Sequence, residues 1–246
     1  PHLLLSSLDL FKVTGQQRYL DCARGSIQKI LASQTPDGRM QGAFGGYGQW
    51  EAGSLAVFAL TYPQDPLVPQ IRQALTDYTT FCLSTANNPF GLSKESVGEK
   101  EYFFHPSANM GVNFLYLGRA WAAGLVYRLN GDIRALRFAT EQMDWVMGKN
   151  PFGLCQVEGV GSYNPHWYHH RYDSIPGHKR GAVPGAVPNG YVVNLAGLDA
   201  PGFDMTYPGT GQRDHPSYRT SEPWLVHNMH YLLALCALSP TRPPAE

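Results

Sequence analysis

Two stretches of this chain repeat one another. Val13-Thr-Gly15-Gln-Gln-Arg18-Tyr-Leu20-Asp-Cys-Ala23 and Leu129-Asn-Gly131-Asp-Ile-Arg134-Ala-Leu136-Arg-Phe-Ala139 carry Gly, Arg, Leu and Ala at the same offsets, and Asn-Pro-Phe-Gly-Leu occurs both at 88–92 and at 150–154. In each repeat one helix ends at a Gly turn, a second runs for about five turns, and an Asn/Pro/Gly cluster stops it, which describes an αα-hairpin. The three-and-four spacing of Phe114, Leu117, Trp121, Leu125 and Leu129, and of Leu20, Ala23, Ile27 and Ile30, marks core-facing stripes. The pattern predicts helices near 2–13, 17–34, 50–61, 66–86, 108–129, 132–148 and 222–238, with no strand run, so the fold class is all-α. Hairpins that each bury one face must stack, either as an open solenoid or as a closed ring. These helices make three and a half hairpins, as expected of part of a larger ring.

Composition narrows the partners. Lys and Arg together number 19, as do Asp and Glu, and the longest basic run is Lys179-Arg180, which argues against a nucleic-acid surface. No apolar run approaches the roughly 18 residues of a membrane span. Cys22, Cys82 and Cys236 fall in apolar helical patterns and Cys155 stands alone, without CxxC spacing, so all four read as small buried thiols. The first residues already read as the middle of a helix, and an upstream segment is expected.

Between Asn150 and Ser221 the periodicity stops. These 72 residues hold 11 Gly and 8 Pro, far beyond the roughly 12–15 at which an unstructured loop becomes unusual in a compact domain. Their many aromatics do not suit a solvating linker, so an ordered functional loop is expected. Its centre, Ser162-Tyr-Asn-Pro-His-Trp-Tyr-His-His-Arg171-Tyr-Asp-Ser-Ile-Pro-Gly177, combines rings with hydrogen-bonding side chains. A metal site on His166, His169 and His170 is one reading, since imidazole suits zinc. Against it, His169 and His170 are adjacent on irregular backbone and no carboxylate or Cys sits at a supporting spacing, so neither a metal nor another cofactor is expected. Ser162 lacks the Gly that a nucleophile elbow requires after it. A polar and aromatic wall suited to sugar remains, with rings stacking on sugar faces and His and Arg donating to hydroxyls.

A carboxylic acid stands at the end of this loop, in Tyr218-Arg-Thr-Ser-Glu222-Pro-Trp-Leu-Val-His227-Asn228. The residues alone read as a helix start: Ser221 or Thr220 as N-cap, Glu222 in the first turn, and Pro223 close behind.

In combination these motifs resemble the C-terminal half of glycoside hydrolase family 9, the inverting cellulases. The likeness runs from Asp144-Trp-Val-Met-Gly-Lys-Asn-Pro-Phe-Gly, similar to the family's Gly-x-Asn-Pro turn, through His169-His-Arg171, where the family has His-x-Arg. It continues through Pro184-Gly-Ala-Val-Pro-Asn-Gly190 to the second signature, with an aromatic four residues before the catalytic Glu and an Asn six after it, met by Tyr218, Glu222 and Asn228. The resemblance implies an (α/α)6 toroid, here only about its C-terminal half over 1–246, with 150–221 as the active-site loop. It implies that Glu222 is the general acid and that His169 and Arg171 bond the sugar beside the scissile bond. Tyr218, His227 and Trp167 are added as candidate substrate contacts, and Tyr168 and Tyr172 as further possible stacking platforms. His227 departs from the family, which usually has Tyr or Trp there.

The family's Asp pair belongs to the N-terminal half, and no Asp-x-Gly-Asp motif occurs in this chain. Glu158, Asp173, Asp199, Asp204 and Asp214 are the acidic residues of the loop, none with a motif behind it. The implied partners are a β-linked polysaccharide or oligosaccharide and the N-terminal part of the domain, and the implied setting is secreted or periplasmic. Two competing readings stay open: a non-catalytic carbohydrate-binding or structural remnant of the fold, and a different α/α-toroid enzyme such as a lyase or phosphorylase.

Overall fold

The computed structural model describes residues 1–42, 48–97, 100–103, 110–178, 180–193, 201–203 and 218–239. Among them are the helices α1 (His2–Thr14), α2 (Gln17–Ala32), α3 (Gln49–Thr61), α4 (Val68–Thr85), α5 (Asn113–Asn130), α6 (Ile133–Met147), α7 (Tyr218–Ser221) and α8 (Leu225–Leu238). The expected all-α hairpins are present, and their helix boundaries lie within a few residues of the pattern wherever it falls on described residues. The two Gly turns match: Gly15 ends α1 at φ 65° with its amide on Phe11 O at 2.8 Å, and Gly131 ends α5 at φ 69° with its amide on Tyr127 O at 2.7 Å. Only glycine takes this left-handed conformation without steric cost.

Two features depart from the pattern. Short antiparallel pairs occur where no strand is expected: β1 (Glu95–Val97) with β2 (Lys100–Tyr102), and β3 (Val192–Val193) with β4 (Pro201–Gly202). The helix expected over 222–238 starts only at Leu225, a separate four-residue helix α7 precedes it, and Glu222 lies between the two rather than in a first turn. Pro223 supplies the reason, because a residue before proline is driven out of the α region and proline has no amide to donate.

The chain forms two compact units. The first takes Pro1–Ser84, Trp121–Ala139 and Ala237–Glu246; the second takes Thr85–Ala120 and Thr140–Cys236. In the first unit α1 packs on α2 and α3, and the predicted stripe of Leu20, Ala23, Ile27 and Ile30 is buried. Most of α3 from Gln49 to Ala59 is buried, which its run of small residues permits; a side chain at Gly53 would meet the Trp121 ring at 2.4 Å. Arginines satisfy helix C-terminal carbonyls: Arg128 reaches Ala237 O at 2.7 Å and Ser239 O at 2.6 Å, and Arg72 bonds Leu129 O. In the second unit Arg119, fully buried on α5, is paired with Glu95 and donates to Ser93 Oγ at 2.6 Å. Gln142 on α6 accepts from Ser93 Oγ at 3.0 Å, so the buried charge sits in a bonded network.

Candidate active site

The loop that follows α6 is anchored at its first residue. Asn150 Nδ2 donates to the carbonyls of Trp145 and Leu154, each at 2.8 Å, and Oδ1 accepts from the amides of Phe152 and Leu154 and from the Tyr191 hydroxyl at 2.8 Å. One buried side chain thus ends the helix and holds the returning strand segment near Tyr191.

Further on, the stretch from Val187 to Gly190 is laced to the segment from Tyr218 to Asn228. Asn228 both accepts from the Val187 amide at 2.9 Å and donates to the Val187 carbonyl at 3.2 Å. The Asn189 amide donates to Glu222 O and the Gly190 amide to Thr220 O, both at 2.9 Å, and Pro188 and Pro223 form an isolated bridge. The Asn189 side chain donates to Tyr218 O at 2.6 Å. On the other side the His169 amide donates to Ser221 O at 3.2 Å. Two loop segments far apart in sequence therefore converge on the four residues that lead into Glu222.

This convergence brings several of the candidate residues together. Glu222 is half-buried at the break between α7 and α8, and the rings of His169 and Tyr218 meet edge to face at 6.1 Å. Tyr218 is exposed, His169 and Trp167 are half-buried, and Arg171 is exposed as the first residue of a 3-10 turn, Arg171–Ser174. His170 caps that turn by accepting from the Tyr172 amide at 3.3 Å. A cavity of about 300 Å³ opens beside Pro223, lined among others by His170, Pro184, Trp224, Leu225 and Asn228.

His227 is placed differently from its expected role. It is 1% exposed, its Nε2 lies 2.7 Å from Asn189 Oδ1, and the rings of Phe114 and Trp224 flank it. Burial, with a further contribution from His230, holds its pKa down to about 3, so the ring is neutral. An imidazole with no exposed face offers nothing for a sugar to touch; it supports Asn189. Tyr168 is likewise a packing residue and not a stacking platform, being fully buried with its hydroxyl on Glu158 Oε2 at 2.7 Å. Burial and the Glu158 carboxylate both push the Tyr168 phenol up. Glu158 is occupied by this bond and by a two-armed pairing with Arg180, whose Nη2 lies 2.8 Å from Oε2. Asp173 belongs to the 3-10 turn beside Arg171, and Asp199, Asp204 and Asp214 lie outside the described residues.

Cys82 and Cys155 are buried as expected, whereas Cys22 and Cys236 are exposed, each on the outward side of its helix. No group of three or more potential metal ligands occurs among the described residues, and no described helix is long and apolar enough to cross a membrane. The residue that spacing did not single out is Asn189. Its signals are its place in the Pro184–Gly190 stretch of the resemblance and a Pro-Asn-Gly sequence in which the amide can pair with its surroundings.

Comparisons with known proteins agree with this architecture. Residues 2–232 match the family model of glycosyl hydrolase family 9. Endoglucanase 13 of Oryza sativa subsp. japonica is 56% identical over 41 residues, 17% of this chain and 7% of that protein. Endoglucanase 10 of Arabidopsis thaliana is 34% identical over 98 residues, 37% of this chain and 18% of that protein. The solved cellulase Cel9M of C. cellulolyticum superposes with a TM-score of 0.63 at 18% identity, covering 95% of this chain. The chain spans 48% of the Cel9M chain, so the fold is about half of the (α/α)6 toroid. On the family match over nearly its whole length, and on the helical architecture it shares with Cel9M, the chain belongs to glycosyl hydrolase family 9.

Proposed function

We propose that the whole protein to which this chain belongs hydrolyses glycosidic bonds of a β-linked glucan or oligosaccharide outside the cell, with inversion and with Glu222 as general acid. The observation that carries the reading is the double tether at the α7–α8 break. His169 bonds the carbonyl before Glu222 and Asn189 bonds the carbonyl of Glu222 itself, so the carboxyl is carried on fixed backbone beside an open cavity. A proton donor acts only when its geometry is set against the bond being broken. His169 and Arg171 bond the sugar next to the scissile linkage, while Tyr218 and Trp167 present rings to it.

Inversion also needs a base carboxylate about 6.5–9.5 Å from the acid, with water between. Glu158 is taken by Arg180 and Tyr168. We assign the base to the part of the family 9 domain that this chain does not span, a reading supported by the 48% coverage of Cel9M.

The test is Glu222→Gln in the whole protein. Turnover of cello-oligosaccharides should fall by about 10²–10⁴-fold, whereas dinitrophenyl β-cellobioside, whose leaving group needs no proton, should lose far less. An equal loss on both substrates would remove Glu222 from the acid's role.

A further inference from the structure

We propose that Asn189 and His227 form a buried positioning pair that sets the direction of the Glu222 carboxyl. The proposal rests on the reading of Glu222 as general acid. Glu222 belongs to neither helix, and Pro223 after it has no amide to fix the chain. Asn189 supplies that fixation on both sides of α7. Its backbone amide donates to Glu222 O at 2.9 Å and its Nδ2 to Tyr218 O at 2.6 Å, while its own carbonyl accepts from the Asn113 amide at 3.0 Å. Asn189 is itself fully buried, so its remaining side-chain atom, Oδ1, must have a donor inside the protein.

His227 is that donor, with Nε2 at 2.7 Å. The chemistry allows one arrangement only. With Nδ2 given to the Tyr218 carbonyl, Oδ1 faces the imidazole, and two acceptors would meet unless Nε2 carries the proton. Turning the Asn189 amide over would instead set Oδ1 against the Tyr218 carbonyl. The neutral Nε2–H form of His227 therefore selects one orientation of Asn189, and Asn189 in turn holds the backbone at Tyr218 and Glu222. The bonds that link His227 to Glu222 run through Asn189. Its loss should leave substrate binding in place and misdirect the proton.

The measurement is steady-state kinetics of the whole protein on a cello-oligosaccharide and on dinitrophenyl β-cellobioside, with thermal melting as the control for folding. His227→Phe keeps a flat ring and loses the donor. It should lower kcat on the cello-oligosaccharide by about 10- to 100-fold, since a misplacement on the order of 1 Å costs that much. KM should stay within about twofold, and the dinitrophenyl substrate should be nearly unaffected, because only a leaving group that needs the proton depends on the acid's aim. His227→Gln retains an N–H of similar reach and should recover most of the lost kcat. Equal kcat in the Phe and Gln variants, or equal losses on the two substrates, would overturn the proposal. Should His227→Phe fail to fold, Asn189→Asp replaces it, because it keeps the acceptor for His227 and loses the donor to Tyr218; an unsplit loss there overturns the proposal equally. If Glu222→Gln splits the two substrates and His227→Phe does not, the positioning pair fails alone. If Glu222→Gln does not split them, the acid itself is wrongly assigned.

Discussion

His227 shows how far burial can move a side chain. Its pKa is held down to about 3, mainly by burial and then by His230, against an ordinary value near 6.5. His230 is shifted the same way by its own burial, partly offset by the Val226 carbonyl. Between about pH 6.5 and 3 the unfolded chain binds a proton at His227 that the folded chain refuses. The stabilising contribution is therefore complete above the ordinary histidine value and is lost as the pH falls toward 3, at about 1.4 kcal/mol per pH unit. Urea unfolding of the whole protein between pH 7 and 4 should show this slope, and His227→Gln should flatten it by about that amount. A variant that unfolds with the original pH dependence would mean the ring is open to protons when folded.

The two Asn-Pro-Phe-Gly-Leu turns have one hydrogen-bond plan and different surroundings. Asn88 donates to Leu92 O at 2.7 Å and accepts from the amides of Phe90 and Leu92, as Asn150 does at its own turn. Asn150 additionally donates to Trp145 O, accepts the Tyr191 hydroxyl and is buried, whereas Asn88 is half-exposed. Removing a buried acceptor leaves its donors unsatisfied, which costs more than the net worth of the bonds themselves. Asn150→Ala should therefore destabilise by about 2–4 kcal/mol and Asn88→Ala by about 1–2 kcal/mol, read as shifts in urea midpoint. Equal shifts would show that the added Trp145 and Tyr191 bonds contribute nothing.

Among the described residues, α1 and α8 each expose three large apolar side chains. On α1 these are Leu3, Leu10 and Val13, at 60%, 43% and 84% exposure, and on α8 Leu225, Leu232 and Leu235, at 84%, 59% and 39%. Stripes of this kind are covered by neighbouring hairpins when a ring of hairpins is complete. Expressed alone, the chain should self-associate and bind a hydrophobic dye. Replacing Leu225 and Leu232 together by Glu should reduce that association, yet lower the melting temperature of the whole protein, because each buried leucine is worth about 1.5–3 kcal/mol. A melting temperature unchanged by the double substitution would mean that this face of α8 is exposed in the whole protein too.

Hairpins, Gly turns, Asn turns and buried stripes were all legible in the order of residues, because each depends on contacts within about four positions along the chain. Gly15 and Gly131, Asn88 and Asn150, and the stripe from Leu20 to Ile30 stand where their spacing put them. Motif spacing named Glu222, His169 and Tyr218 as candidates, and the fold packs the His169 and Tyr218 rings together beside the α7–α8 break. Tertiary structure decided the rest. On an irregular backbone no period says which ring turns inward, so Tyr168 became core and Tyr172 surface. The break before α8 follows from a single proline, but the bonds to the Tyr218 and Glu222 carbonyls come from Asn189, whose side chain meets His227, 38 residues away. Such a bond forms only when both partners are buried at one point. A buried polar atom must find a partner wherever the chain brings one, and that location is a property of packing that neighbouring residues in the sequence do not carry.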